Sequence, residues 1–165
     1  MKSFLVRLGF VLLAGAAAIV AAETRIDVSQ VVTKTTAEEI LEGPVKPSSP
    51  RNVDGSDGYY SKCNYYSTDA KKRLIIRVYQ ASAGFDPRKE LDAVAESAGA
   101  MRSISGLGDK ARISSGVQGG LPSQVVMIYV VKGNSLITVG IGGFDDESAA
   151  TDKIKAVAQK IVAKL

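Results

Sequence analysis

The stretch QVVMIYVVKGNSLITVGI, residues 124–141, decides the fold. Its two apolar halves are rich in β-branched residues, which favour strands. Gly133 and Asn134 separate the halves, and both residue types are typical of the tight turn of a β-hairpin. Because each half is almost continuously apolar, we expect the two strands at the centre of a sheet that is covered on both faces.

A second hairpin is predicted upstream, from Tyr59–Ser67 and Arg73–Ala81, with the polar segment TDAKK between them. Side chains alternate between the two faces of a strand. One face of the first strand carries Tyr59, Ser61, Cys63 and Tyr65. Its other face carries Tyr60, Lys62, Asn64 and Tyr66. The apolar row of the second strand consists of Leu74, Ile76 and Val78. One face of this hairpin is therefore expected in the core, and the other is partly aromatic.

Two helices are predicted from their capping residues and apolar spacing. Asp86 and Pro87 begin a helix that extends to about Ala98. Asp145 or Asp146 caps a closing helix near the C terminus. The apolar stripe of the closing helix consists of Ile154, Val157, Ala158, Ile161 and Leu165.

A third, shorter helix is predicted before the hairpins. Thr35 or Thr36 is expected to be its N-cap, because a glutamate follows three residues later in either case and completes a capping box. The helix is expected to end near Gly43 and Pro44. Residues 45–58 are rich in Pro, Ser, Gly and Asp and have no apolar period, so they are predicted to form a surface loop.

The order of these elements predicts the fold class. Lys110–Ser114 is predicted to be a short strand between the helix that begins at Pro87 and the central hairpin. Helix, hairpin, helix, strand, hairpin and helix together indicate an α+β fold, with a mainly antiparallel sheet that is flanked by helices. Residues 23–165 have the length of one ordinary domain.

The N terminus has the features of a cleavable signal peptide over residues 1–22. Lys2 and Arg7 form a positive region, and a run of apolar and small residues follows from Leu8 to Ala22. This run is shorter than the roughly 20 residues that a membrane-spanning helix needs. Because the only cysteine is Cys63, no lipid attachment after the cut is expected. The sequence predicts a periplasmic or secreted protein with no stable membrane anchor after cleavage.

Composition limits the classes of function. Removing Lys2 and Arg7 leaves 19 of the 21 basic residues against 17 acidic residues. So small an excess gives no case for nucleic-acid binding, which needs a concentrated basic surface. The absence of histidine removes the commonest general base and the commonest transition-metal ligand. A single cysteine cannot form an internal disulfide, so the fold is expected to depend on its hydrophobic core.

Several landmarks follow one another in a familiar order. They are the early Thr-x-Glu-Glu-Ile-Leu-x-Gly-Pro helix, the strand with Cys63-Asn64-Tyr65, the segment Ile104–Ala111, the hairpin with Lys132-Gly133-Asn134 and the C-terminal helix. Over most of residues 30–165 the chain resembles exported bacterial PsbP-like domains of unknown function, which are often lipoproteins. The resemblance implies an antiparallel sheet flanked by helices and no established enzymatic activity. The chain departs from the lipoprotein members because it lacks their lipid-bearing cysteine.

Three short motifs favour structural roles over ligand binding. Gly106–Ala111 satisfies the Gly-x-Gly-x-x-Ala pattern, but a dinucleotide site needs a helix N-terminus next, and residues 112–116 are poor helix formers. Asp54–Gly58 lacks the spacing and the bidentate glutamate of a calcium loop. Asp145–Glu147 is interpreted as helix capping. No metal and no cofactor are predicted.

Tyrosines are concentrated on the predicted upstream hairpin, which carries Tyr59, Tyr60, Tyr65, Tyr66 and Tyr79. Tyrosine is enriched at interfaces because it combines a large contact area with a polar tip. Two interpretations stay open, since Tyr60 and Tyr66 either pack under a helix or are exposed and contact a partner. For the second interpretation, the nominated partner-binding residues are Tyr60, Lys62, Tyr66 and Arg77.

No catalytic residues are predicted. Cys63 has no histidine to activate it and is interpreted as a core residue. We expect an exported, non-catalytic binding or accessory protein of the bacterial cell envelope, whose partner is an envelope protein or a small ligand. Two alternatives stay open. One is a carboxylate-dependent envelope hydrolase, which needs two acids in one cleft. The other is a protein-binding module like inhibitors or assembly factors, because residues 36–44 resemble the first helix of such proteins.

Overall fold

The computed structural model of the protein describes residues 24–98, 101–116 and 124–165, so the predicted signal peptide lies outside the described residues. The elements are α1 (Val28–Val31), α2 (Lys34–Leu41), β1 (Arg51–Asp54), β2 (Gly58–Tyr66), β3 (Arg73–Ala81), α3 (Pro87–Ala98), β4 (Arg102–Ile104), β5 (Lys110–Gly116), β6 (Val125–Lys132), β7 (Ser135–Gly142) and α4 (Glu147–Val162). The seven strands form one antiparallel sheet in the order β1-β2-β3-β7-β6-β5-β4. The α+β prediction is confirmed.

The main core lies between one face of the sheet, here called the inner face, and the helices α1, α2 and α4. The predicted apolar rows of β2 and β3 are buried there, and Cys63 and Tyr65 are among them. Asp146 caps α4 by accepting hydrogen bonds from the backbone N–H groups of Ser148 and Ala149. Leu165 does not belong to the buried stripe of this helix, because the helix ends at Val162 and the Leu165 side chain is 39% exposed.

The predicted N-cap of the short helix was wrong. Thr33 caps α2, and its side-chain oxygen accepts from the backbone N–H of Thr36 at 3.3 Å. The helix therefore begins before Thr35 and includes both threonines that were expected to cap it. The reason is the short helix α1, which ends at Val31 and leaves Thr33 in the extended conformation that an N-cap requires.

Residues 45–58 are not only a surface loop, because β1 forms within them. β1 pairs with β2 along an edge of the sheet, and its side chains are exposed throughout. An exposed edge strand needs no alternation of apolar and polar residues, so periodicity could not reveal it. The stretch Asp54–Gly58 is the turn of this hairpin, closed by a hydrogen bond from Gly55 N to Gly58 O at 2.7 Å. The opposite edge strand, β4, was not predicted either.

The Gly-x-Gly motif is a structural turn that leads into β5. Gly108 has a φ of +62°, which glycine adopts without the steric penalty of other residues. A Cβ atom at this position would lie 2.5 Å from the Val131 carbonyl oxygen. The element that follows is a strand rather than a helix, so the arrangement that a dinucleotide pyrophosphate needs is not formed here.

The second face of the sheet, here called the outer face, is only partly covered. Helix α3 packs on β6, β7 and β3. Leu91 of this helix is fully buried and belongs to a small cluster with Tyr129, Val131 and Leu136. The outward-facing parts of β1 and β2 are left outside that cluster, and these strands carry most of the residues nominated from the sequence.

Candidate functional site

Strand register arranges the outer face into two neighbouring rows of side chains. The pairs Val53–Tyr60, Tyr60–Tyr79 and Tyr79–Leu136 form the apolar row, made of Val53, Tyr60, Tyr79 and Leu136. The pairs Arg51–Lys62, Lys62–Arg77 and Arg77–Thr138 form the cationic row, made of Arg51, Lys62 and Arg77 and ending at Thr138. Two residues along a strand separate the rows by about 6.7 Å, and neighbouring strands lie about 4.8 Å apart.

The two rows line a groove of about 360 Å³. Its lining consists of Arg51, Val53, Tyr60, Ser61, Lys62, Arg77, Val78, Tyr79, Leu136 and Thr138. This volume lies in the range of small-molecule sites, roughly 300–1,000 Å³, and such sites also combine apolar walls with a few polar groups. Among the residues that the structure describes, no acidic side chain belongs to this lining.

The tyrosines of the groove are held in a fixed orientation. Tyr60 stacks on Tyr79 with ring centroids 4.7 Å apart and an interplanar angle of 20°. The Tyr60 hydroxyl donates to the Asp57 carboxylate, and the Tyr79 hydroxyl donates to the Asp57 backbone oxygen at 2.9 Å. The hydrogen bond to Asp57 raises the pKa of Tyr60, and burial raises the pKa of Tyr79. Both phenols therefore stay neutral at physiological pH.

Carboxylates elsewhere on the surface neutralise cations, but none neutralises the cationic row. The Glu42 carboxylate lies 2.8 Å from Lys72 Nζ and 3.0 Å from Lys153 Nζ, and these two contacts lower its pKa to about 2. Within the part of the chain that the structure describes, Arg51, Lys62 and Arg77 take part in no ion pair. Direct ion pairs with described residues therefore leave these three cations unneutralised, while the Asp57 and Glu90 carboxylates act on the tyrosine end of the groove.

Three of the four nominated residues meet in the groove. Tyr60, Lys62 and Arg77 line it, and the Tyr60 side chain is 41% exposed. Tyr66 is 42% exposed on the same face of β2, but six residues along the strand places it about 20 Å from Tyr60 and outside the groove lining. The alternative in which Tyr60 and Tyr66 pack under a helix is wrong, because both side chains are exposed.

Seven of the ten lining residues were not nominated from the sequence, and four of these seven lie outside the upstream hairpin. Arg51 and Val53 lie on β1, which had been interpreted as loop, so nothing in the pattern placed them beside the hairpin. Leu136 and Thr138 lie on β7, and alternation along this strand could have assigned both to one face. Their place beside β3 could not be predicted, because β3 and β7 are far apart in the chain.

The side chains that line the groove are aromatic, aliphatic, hydroxyl-bearing or cationic. The described residues place no pair of carboxylates in its lining of the kind a glycoside hydrolase uses. Across the described ranges, no group of three or more His, Cys, Asp and Glu side chains could hold a metal ion. Cys63 is a buried free cysteine, so its interpretation as a core residue is confirmed.

Two further observations complete the description of the site. No helix among the described residues is both long enough and apolar enough to cross a membrane. The chain matches no protein-family model, and a search of curated proteins found no similar sequence. The fold and the groove are thus the observations that bear on function.

Proposed function

We propose that this protein is an exported, non-catalytic binding or accessory protein of the bacterial cell envelope, and that it binds its partner in the outer-face groove. The observation that carries the proposal is that an exposed, oriented tyrosine and a row of cations lie side by side in one groove. The few residues that dominate the binding energy of protein interfaces are enriched in tryptophan, tyrosine and arginine. The groove concentrates both residue types at one place.

The cationic row supports the binding proposal because the repulsion among its charges destabilises the unbound protein. Arg51 lies directly opposite Lys62, and Lys62 lies directly opposite Arg77. Like charges at directly opposite positions of an antiparallel pair are destabilising. A bound anion would attract all three cations and offset their mutual repulsion, so the row would stabilise the bound state more than the free state.

Sequence features support the cellular setting of the proposal. The signal peptide predicted over residues 1–22 would direct the protein to the periplasm or the outside of the cell. The resemblance to exported PsbP-like domains agrees with such a location and with a role that needs no catalytic residues. The partner in this setting is an envelope protein or a small ligand of the envelope.

Capture from a cell-envelope extract tests the proposal with a matched pair of variants. The full-length chain is immobilised as wild type, Tyr60→Ser and Tyr66→Ser, and circular dichroism verifies that each variant is folded. Tyr60 and Tyr66 are equally exposed on the same strand, but only Tyr60 lines the groove. We expect a component that wild type and Tyr66→Ser retain and that Tyr60→Ser loses. Equal retention by both variants would show that the groove is not the binding surface.

A further inference from the structure

We infer that the groove binds an amphipathic carboxylate, a small molecule with an apolar body and one carboxylate group. The inference rests on the proposed function and names its ligand class. In this arrangement the apolar body lies on the apolar row and the carboxylate lies at the cationic row. The two rows are direct neighbours on the same four strands, so one small molecule reaches both.

The apolar row provides a continuous surface for a hydrocarbon chain or a planar ring. Val53 is 37% exposed and Tyr60 is 41% exposed, so both side chains have apolar surface in contact with water. Tyr79 is partly buried and Leu136 belongs to the buried cluster under α3, so Val53 and Tyr60 supply most of the open surface of the row. A ligand that covers this surface removes it from water, which is the dominant favourable contribution to binding an apolar group.

The cationic row fits a carboxylate. Three donors on adjacent strands span about 10 Å, given the spacing between strands. An arginine can bind a carboxylate with two parallel hydrogen bonds, and such charge-assisted bonds are about twice as strong as neutral ones. Arg51, Lys62 and Arg77 have no competing carboxylate among the described residues, so their donors are available to a ligand.

Asp57 determines which way the ligand lies. Asp57 lies just before β2 begins, and its carboxylate accepts a hydrogen bond from the Tyr60 hydroxyl. Lys62 follows two residues after Tyr60 along β2. A negative head group placed beside Asp57 would be repelled, whereas the same group beside Lys62 is attracted. The anionic end is therefore directed to the cationic row and the apolar end to the tyrosines.

The backbone under the groove favours a small molecule over an extended peptide. Around Tyr60 and Lys62, β2 is paired with β1 on one side and with β3 on the other, and β3 is paired with β2 and β7. A peptide laid across this face would find no free backbone donor or acceptor for its own amide groups, and unmade hydrogen bonds are costly. An amphipathic carboxylate has no such requirement.

Isothermal titration calorimetry of the full-length protein with dodecanoate tests the inference. Dodecanol, which has the same chain without the charge, serves as the ligand control. The variants are Arg77→Gln and Lys62→Gln in the groove, with Arg88→Gln as the control, because Arg88 is an exposed cation of α3 outside the groove lining. We expect saturable binding of dodecanoate, at least about tenfold weaker binding of dodecanol, and at least about tenfold weaker binding of dodecanoate to either groove variant. Arg88→Gln should bind as wild type does.

Three results would overturn the inference. They are no binding of dodecanoate, equal binding of dodecanol, or an equal loss in Arg88→Gln and Arg77→Gln. If the first of these results is accompanied by binding to phosphatidylglycerol vesicles, the partner is a membrane surface. If dodecanoate does not bind while capture of an envelope component still depends on Tyr60, the inferred ligand class is wrong and the proposed binding function stands. If both fail, the proposed function is wrong as well.

Discussion

Replacing Ile128 by alanine is expected to lower the free energy of unfolding by about 2–5 kcal/mol. Ile128 lies on β6, near the middle of the sheet, between Val139 of β7 and Ile113 of β5. Its side chain is fully buried in the main core, which α4 covers. Truncation removes buried methyl groups and leaves a cavity, because neighbours that are fixed in strands cannot move in to fill it.

Urea denaturation measures this loss, and Leu165→Ala is the matched control. Leu165 is 39% exposed beyond the end of α4, so its truncation should change the free energy of unfolding by less than about 0.5 kcal/mol. Similar losses for the two variants would contradict the placement of the core between the inner face and α4.

The second large effect is expected from Leu91→Ala, which should weaken the packing of α3 on the sheet by about 2–5 kcal/mol. This loss should affect α3 alone rather than the whole fold. Leu91 is the fully buried side chain by which α3 attaches to the outer face. The cluster it joins is small, with Tyr129, Val131 and Leu136 as its other buried members. Without Leu91, α3 should detach from the sheet while the main core stays folded.

Hydrogen exchange separates local detachment from global unfolding. In Leu91→Ala, the amides of residues 88–98 should exchange faster, whereas those of β6 and β7 should keep most of their protection. Val94→Ala is the control on the same helix, because Val94 is only partly buried, and its effect should be smaller. Unchanged exchange in α3 would show that other contacts hold the helix.

Local sequence pattern predicted the parts of the fold that have strong local signals. The central hairpin has a turn dipeptide between two apolar runs, and α3 has a proline at its first position, so both were predicted at the right place. The edge strands β1 and β4 were missed because exposed edges carry no apolar period. The N-cap of α2 was predicted at the wrong residue because three nearby threonines are suitable N-caps. The end of α1 leaves Thr33 in the extended conformation that an N-cap requires.

The sequence predicted only those residues of the candidate site that lie on the β2–β3 hairpin. Alternation along β2 correctly placed Tyr60 and Lys62 on the face opposite the core, and it assigned Tyr66 to the same face. It could not show that Tyr66 lies outside the groove or that Arg51 joins the cationic row. The place of Arg51 depends on the register between β1 and β2, which is set by strand pairing, and the distance from Tyr66 to the groove has meaning only once the groove is located at Tyr60 and Lys62.

Mapping of the dodecanoate site by nuclear magnetic resonance tests the central claim most directly. Backbone amide shifts of the isotope-labelled full-length protein are followed as dodecanoate is added. We predict that the largest shift changes lie in β1, β2 and β3 around Arg51, Tyr60, Lys62 and Arg77, and that the amide shifts of α4 do not change. Changes confined to α4 and the inner face, or no changes at all, would contradict the assignment of the outer-face groove as the binding site.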